Sequence, residues 1–96
     1  MRVTPHFSLA DFACHDGTPY PVQWIDARLR PLCELLEIVR GRFGAPVTVI
    51  SGYRTPAHNR RVQGARRSQH VEGRAADIRV RGVAPARVHD ALRRRA

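Results

Sequence analysis

The hydrophobic positions of this chain follow two different periods, and their order along the sequence predicts an α+β fold. Residues 25–43 carry apolar side chains at the three- and four-residue intervals of an amphipathic helix, with charged side chains on the opposite face. Asp26 is the candidate cap, and Pro31 should kink the helix or delay its start. Gly44 and Pro46 should end it. The apolar stripe, which we assign to the core, consists of Leu29, Leu32, Cys33, Leu36 and Val39.

Two short runs predict strands. Residues 47–50 are mostly β-branched and are bounded by turn residues, which favours a central strand. Residues 75–80 alternate with period two, so Ile78 and Val80 should face the core while Asp77 and Arg79 face the other way. We therefore expect Asp77 to be held on a rigid element and to point into a cleft.

Short helices and turns fill the rest of the chain. Ser8 is a capping residue for a helical turn over residues 8–12. Pro56 should start a short helix that runs to Val62 and is closed by Gly64, and Pro85 should start the last helix. The last helix has a modest apolar face, which consists of Val88, Ala91 and Leu92.

Composition limits the chain to one small domain. It has 96 residues, of which 43% are hydrophobic, and no apolar run approaches the roughly 20 residues of a membrane span. The N-terminal residues 1–6 carry a charge without an apolar segment behind it, so they do not resemble a secretory signal. We expect a cytoplasmic protein, or one exported by a route other than the general secretory one.

All 17 basic residues are arginine, and the net charge is +9. A charge of this size favours polyanions such as nucleic acid, teichoic acid or acidic lipids. However, the arginines are scattered, no nucleic-acid motif is present, and aromatic residues do not alternate with them. We therefore rank nucleic-acid binding last, and we interpret the one internal cluster as a solvated rim; it consists of Arg60, Arg61, Arg66 and Arg67.

The remaining polar candidates favour structure over chemistry. Cys14 and Cys33 allow one disulfide or two free thiols, and partly buried free thiols are the preferred interpretation. His15 and Asp16 lie in a turn-rich loop and could ligate a metal, but a polar surface loop is the simpler explanation.

The segment 68–77 carries the strongest chemical signal. His70 and Asp77 are both good ligands for zinc, and Gly73 would let the chain reverse between them. The alternative is a surface histidine in a loop and a strand aspartate that pairs with one of the arginines.

This segment resembles the S-x-H-x-x-G-x-A-x-D signature of the zinc D-alanyl-D-alanine carboxypeptidases and dipeptidases, relatives of the lysostaphin-type peptidases and hedgehog domains. All of its fixed positions are present, namely Ser68, His70, Gly73, Ala75 and Asp77. Residues 51–59 are similar to the second signature of that family, S-G-Y-R-[ST]-P-x-x-N. The resemblance runs from about Phe7 to Val83.

The resemblance implies a zinc ion held by two histidines and an aspartate, a water at the fourth position, and a glutamate as general base. It implies that His70 and Asp77 are metal ligands and that Arg54 stabilises the developing oxyanion. Arg54, Ser68 and Tyr53 are the residues expected to contact substrate, a stem peptide of peptidoglycan that contains D-alanine. The implied fold is a small antiparallel sheet with helices packed on one side.

The chain departs from the family pattern after Asp77, where relatives have a strand with the third ligand and the general base. The only later histidine, His89, falls in the predicted last helix, and Glu72 occupies a free position of the signature. We expect the C-terminal strands of the family fold to be missing and the activity of these residues alone to be low. A cell-wall peptidase, such as one from a phage lysis cassette, is the leading hypothesis. A non-catalytic peptidoglycan-binding or structural module is the alternative.

Overall fold

The protein folds into short helices and strands in the order that the hydrophobic pattern predicts. The computed structural model describes residues 1–95, and the side chains of residues 1–90. The strands are β1 (Arg2–Thr4), β2 (Phe7–Ser8), β3 (Val47–Ser51) and β4 (Asp77–Val80), and the helices are α1 (Arg30–Phe43), α2 (Pro56–Arg61) and α3 (Pro85–Arg95). A 3₁₀ turn follows β2 at Leu9–Phe12, and a second one at Val22–Trp24 leads into a π turn at Ile25–Leu29. No helix in residues 1–95 is long and apolar enough to cross a bilayer.

The strands form two separate antiparallel pairs, which confirms the α+β class. β1 pairs with β2 in an N-terminal hairpin that the sequence did not reveal, because strands of three and two residues are too short to show a period. β3 pairs with β4 in the predicted antiparallel manner, with Val47 opposite Val80 and Val49 opposite Ile78. β3 was expected to be central, but within the described residues β4 is its only neighbour.

The β3–β4 pair presents one face to the core and one face to solvent, as the period-two alternation of β4 predicts. Val80 is 1% exposed and packs in a cluster with Val39 of α1 and Val88 of α3. Asp77 and Arg79 lie on the opposite, exposed face. The helices therefore pack on one side of these strands, and Asp77 is directed away from them. Ala91 and Leu92, which were assigned to the apolar face of the last helix, lie outside the residues whose side chains are described.

The main helix starts later than its periodicity predicts. The α-helix begins at Arg30, and the five residues before it wind as a π turn in which the Arg30 N–H donates to the Ile25 carbonyl. Pro31 explains this, because its ring lacks an N–H and would clash with the carbonyl of Ala27 in an α-helix. The sequence predicted Asp26 as the cap of the helix, and this was wrong. Asp26 lies inside the first turn and pairs with Arg30 at 3.3 Å.

The end of the main helix and the interior follow the sequence closely. Gly44 adopts a left-handed φ of +59° and donates its N–H to the Arg40 carbonyl. The main core joins the N-terminal hairpin, the first 3₁₀ turn and the start of α1; it consists of Val3, Phe7, Phe12, Tyr20, Ile25, Leu29, Cys33 and Leu36. Both cysteines are buried free thiols, which was the interpretation preferred from the sequence. Burial raises the pKa of Cys33 to about 12.

An aromatic clamp grips the turn that follows His70. We use this name for Tyr20, Trp24 and Tyr53, whose rings meet edge to face with centroids 5.8–6.3 Å apart. The hydroxyl of Tyr20 donates to the carbonyl of Gly73 at 2.7 Å. Burial raises the pKa of Tyr20 to about 12, so the hydroxyl keeps its proton for this bond at neutral pH.

Arg28 closes the aromatic clamp from the solvent side. Its guanidinium carbon lies 4.1 Å from the centre of the Trp24 ring, a cation–π contact. The same guanidinium donates to the backbone carbonyl of Glu72 at 2.9 Å. The turn between His70 and Asp77 is therefore held by two hydrogen bonds from residues far away in sequence, one from Arg28 of the π turn and one from Tyr20 of the loop before it.

Gly73 is required in this clamp for two reasons that substitution can separate. Its φ is +70°, and an added Cβ would lie 2.7 Å from the Tyr20 hydroxyl and 2.8 Å from the Trp24 ring. Gly82 has nearly the same φ, +72°, but an added Cβ would have no neighbour within 4 Å. Gly82→Ala should cost about 1–2 kcal/mol of backbone strain. We expect Gly73→Ala to cost about 1–3 kcal/mol more, from the clash.

Urea unfolding of both variants beside the parent chain measures these two costs. Equal losses in the two variants would contradict the close packing of the aromatic clamp on Gly73.

Candidate metal centre

Hydrogen bonds hold both the backbone and the ring of His70. Its N–H donates to the Ser68 hydroxyl at 3.1 Å, and its carbonyl accepts from the Arg54 N–H at 3.0 Å and from the Gly73 N–H at 3.2 Å. Its ring Nδ1 lies 2.7 Å from the carbonyl oxygen of Gly52. Since a carbonyl oxygen only accepts hydrogen bonds, Nδ1 carries a proton. In the neutral form of the ring, Nε2 then presents its lone pair, which is the form that ligates a metal.

Gly52 supplies that carbonyl because it can approach the first 3₁₀ turn closely. A Cβ at this position would lie 2.7 Å from the Cα of Phe12. The next residue, Tyr53, donates its N–H to the Phe12 carbonyl at 2.9 Å. Phe12 itself is fully buried, so the segment that orients the His70 ring rests directly on the core.

Asp77 meets the free nitrogen of His70 at the end of the β3–β4 pair. A register shift between Val49 and Ser51 places Asp77 opposite Ser51, at the point where β3 passes into the Gly52 segment. The Asp77 Oδ1 lies 3.4 Å from the His70 Nε2. The His70 side chain is 12% exposed and that of Asp77 is 57% exposed, so the pair is open to solvent from the Asp77 side.

These two atoms fit a zinc ion. Ligand atoms about 2.0–2.1 Å from a tetrahedral zinc lie about 3.3–3.4 Å from one another. The observed separation of 3.4 Å matches that value. With Nδ1 protonated, both atoms present lone pairs to each other, an arrangement that a cation or a second proton on the ring stabilises. The donor set of one imidazole nitrogen and one carboxylate also suits zinc.

Arg54 joins this pair from the neighbouring loop. Its Nη2 donates to the Asp77 Oδ2 at 3.2 Å, and its Nη1 donates to the Asn59 Oδ1 at 3.3 Å. The Arg54 side chain is 17% exposed. The sequence left open a strand aspartate paired with one of the arginines, and the structure contains that pair: Asp77 binds Arg54, whose side chain is largely buried.

The helix after Arg54 begins where the sequence predicts and is anchored by a cap that the sequence analysis missed. The Thr55 hydroxyl accepts from the His58 N–H and donates to the Asp16 carboxylate at 2.8 Å. Asp16 also accepts the Thr18 N–H, and these bonds hold the pKa of its carboxyl well below the usual range. Asp16 therefore anchors the loop next to Arg54, which agrees with a structural role for residues 14–21.

The other predicted site residues take supporting positions. Ser68 uses its hydroxyl to accept from the backbone of His70, so it shapes the ligand turn. Tyr53 places its ring in the aromatic clamp. Asn59 is 5% exposed and donates to the Ala65 carbonyl at 2.9 Å, which ties α2 to the segment that leads to His70.

A third ligand does not join His70 and Asp77 in the part of the chain that the structure describes. No group of three or more histidine, cysteine or acidic side chains suited to a metal occurs there. His89 lies exposed on α3, a helix as predicted. The His15 and His58 rings contact each other edge to face, with their centroids 6.1 Å apart.

The glutamates lie elsewhere as well. Glu37 of α1 accepts from the His6 ring at 2.7 Å and from the His6 backbone N–H. These bonds outweigh burial and hold the pKa of Glu37 below its usual value. Glu34 is exposed on the same helix, and Glu72 is exposed in the turn gripped by the aromatic clamp.

A groove of about 560 Å³ in the described residues is lined by other side chains than this pair. It runs along β3, β4 and the start of α3, with Ile50, Val83 and Val88 among its lining residues. None of its lining residues carries an imidazole or a carboxylate, so it offers no such ligand for a metal.

Comparison with known proteins gave one match, to a protein family. A family model described as peptidase M15 matches residues 5–96, almost the entire chain. Comparisons with curated proteins and with solved structures gave no match. The matched region contains both signature segments and every residue of the candidate centre. The chain therefore belongs to the peptidase M15 family.

Proposed function

We propose that this chain is a zinc-dependent peptidase domain that acts on peptidoglycan peptides containing D-alanine, as a carboxypeptidase or an endopeptidase. The observation that carries the proposal is the 3.4 Å approach of the His70 Nε2 to the Asp77 Oδ1, with the Arg54 guanidinium on the same carboxylate. Membership of the peptidase M15 family supports the reaction class. The family's zinc and its D-alanine substrates enter as parts of this proposal.

His70 and Asp77 would hold the ion. His70 offers Nε2, and the bond from its Nδ1 to the Gly52 carbonyl keeps the ring in one tautomer and one orientation. Asp77 offers an anionic oxygen on a strand whose other face is buried. When bound, zinc supplies Lewis-acid activation of the scissile carbonyl and of the attacking water.

Arg54 would bind the substrate beside the ion. Its guanidinium is always charged and planar, so it can donate two parallel hydrogen bonds to a carboxylate or to a developing oxyanion. Its largely buried position strengthens such bonds relative to those of a solvent-exposed arginine. Asn59 accepts one of its N–H groups and so fixes the direction of the fork.

Ser68 and Tyr53 are proposed to contact the substrate less directly. The Ser68 hydroxyl donates no bond in the described contacts and lies two residues before His70. Tyr53 is the member of the aromatic clamp next to Arg54 in sequence, and its ring would border the peptide.

The alternative is a module that binds peptidoglycan without cutting it. It arises because the described residues contain no group of three or more histidine, cysteine or acidic side chains that could hold a metal. An absent general base costs about 10²–10⁴ in rate. Two measurements separate metal binding from catalysis.

Zinc binding is the first. We expect the chain to compete for zinc with a fluorescent indicator. His70→Ala should lower the zinc affinity at least about 10- to 100-fold, because loss of a ligand lowers metal affinity no less than loss of an outer-shell partner does. The matched control is His89→Ala, which removes an exposed imidazole from α3. Equal zinc affinity in the parent chain and in His70→Ala would overturn the metal centre.

Release of D-alanine is the second. The zinc-loaded chain, incubated with a muropeptide that ends in D-Ala-D-Ala, should release D-alanine, measured by an oxidase-coupled assay. Arg54→Ala should lower the rate about 10²–10³-fold, because it removes a donor to the developing charge. Arg54→Lys should recover only part of it, since lysine lacks the planar fork.

Arg42→Ala, at an exposed arginine near the other end of β3, is the control and should leave the rate unchanged. Zinc binding without D-alanine release in the parent chain would favour the non-catalytic module.

A further inference from the structure

Four arginines form an exposed cluster beside the candidate metal centre. Arg60 and Arg61 end α2, and Arg66 and Arg67 lie in the turn that follows. All four side chains are exposed. We call this set the arginine rim.

Hydrogen bonds between the two turns hold the arginine rim in place. The Gly64 N–H donates to the Asn59 carbonyl at 2.8 Å, and the Asn59 side chain donates to the Ala65 carbonyl at 2.9 Å. The Ser68 N–H closes the second turn on the Ala65 carbonyl at 3.2 Å, which leaves Arg66 and Arg67 at its two central positions. The four arginine side chains therefore project from a backbone that these hydrogen bonds hold in place.

No carboxylate neutralises the arginine rim. The sequence has no acidic residue between Glu37 and Glu72. In the described part of the chain, every ion pair joins other residues, and none of these four arginines has one. Four like charges on two adjacent turns repel one another, and a polyanion removes that repulsion when it binds.

The arginine rim borders the candidate centre. Asn59, which ties its two turns together, also accepts a hydrogen bond from Arg54 at 3.3 Å. Ser68, at the end of the second turn, accepts from the His70 N–H. A polymer on the arginine rim would thus lie next to a peptide at His70 and Asp77.

Phosphodiesters suit this surface, since a guanidinium fork matches two oxygens of a phosphate. Proteins that bind single-stranded nucleic acid also offer aromatic faces on which the bases stack. Every phenylalanine, tyrosine and tryptophan of the described residues is buried or half-buried, and none lies within residues 54–74. We propose that the arginine rim binds a base-free phosphodiester polymer, one in which polyol units alternate with phosphates, and so docks the domain on an anionic cell wall. The wall setting rests on the proposed function; the binding itself does not.

The test uses the full chain with a chelator present, so that neither zinc nor hydrolysis contributes and a failure of the proposed peptidase leaves the result unaffected. Synthetic poly(glycerol phosphate) is titrated at 50 and 200 mM salt. Four phosphate contacts predict a loss of affinity of about a hundredfold over this range. Arg60→Gln combined with Arg61→Gln should reduce that loss to about tenfold, since two contacts remain.

The matched control is Arg40→Gln combined with Arg42→Gln, near the C-terminus of α1. These residues lie at the opposite end of β3 from Arg54, and β3 is about 16 Å long. The control removes the same charge and should keep the full salt dependence. Equal losses in the two double variants would overturn the arginine rim as the binding surface.

Two further probes decide the chemistry. Single-stranded DNA that binds as tightly as poly(glycerol phosphate) would overturn the preference for a base-free polymer. Polyglutamate that binds as tightly would overturn the preference for phosphate. Absence of salt-dependent binding to poly(glycerol phosphate) would overturn the proposal as a whole.

Discussion

The hydrogen bond from the His70 ring to the Gly52 carbonyl is the contact on which the candidate centre depends. It spans 18 residues of sequence, fixes which ring nitrogen carries the proton, and aims the other nitrogen at Asp77. The bond forms only because Gly52 has no side chain and can lie against the backbone of Phe12. A buried core residue thus determines, through one close backbone approach, the orientation of an imidazole near the surface.

Two further anchors act on the same two segments. The aromatic clamp holds the turn between His70 and Asp77 through the Tyr20 hydroxyl, and Asp16 holds the start of α2 through Thr55. Each anchor comes from the N-terminal third of the chain, outside the two segments that hold His70, Asp77 and Arg54. The first 3₁₀ turn, the loop after it and the π turn therefore position the centre through their contacts with these two segments. A site on loops keeps its geometry when a rigid scaffold holds those loops at several points.

Arg54 and the arginine rim differ in their electrostatic surroundings. Arg54 is largely buried and bonded to a carboxylate and an amide, so its charge is directed at one point. The arginine rim is exposed and without carboxylate partners among the described residues, so its charge acts over a surface. Both Arg54 and the arginine rim are connected to the side-chain amide of Asn59. This amide accepts a hydrogen bond from the Arg54 guanidinium and donates one to the Ala65 carbonyl in the turn of the arginine rim. Recognition of a small substrate and of a polymer would thereby share one buried amide.

Local sequence determined the elements and the facing of their residues. The three- and four-residue intervals placed the stripe of α1, the alternation of β4 set Asp77 opposite the buried Val80, and Gly44 ended the main helix in a left-handed conformation. These features depend on neighbours within a few residues, which a period or a turn residue reports directly. The two signature segments likewise indicated the peptidase M15 family and its candidate ligands.

Only the tertiary structure showed how these pieces meet. The contacts of Gly52 with His70, of Tyr20 with Gly73 and of Asp16 with Thr55 join residues 18 to 53 positions apart. No periodicity encodes such contacts, because they depend on how the whole chain closes and on where small residues allow close approach. The late start of α1 was likewise not evident from the sequence. The apolar stripe favours a helix from Ile25 onwards, whereas the ring of Pro31 disfavours α-helix in the turn before it. The sequence by itself therefore indicated the candidate ligands, and the fold decided which of their atoms face each other.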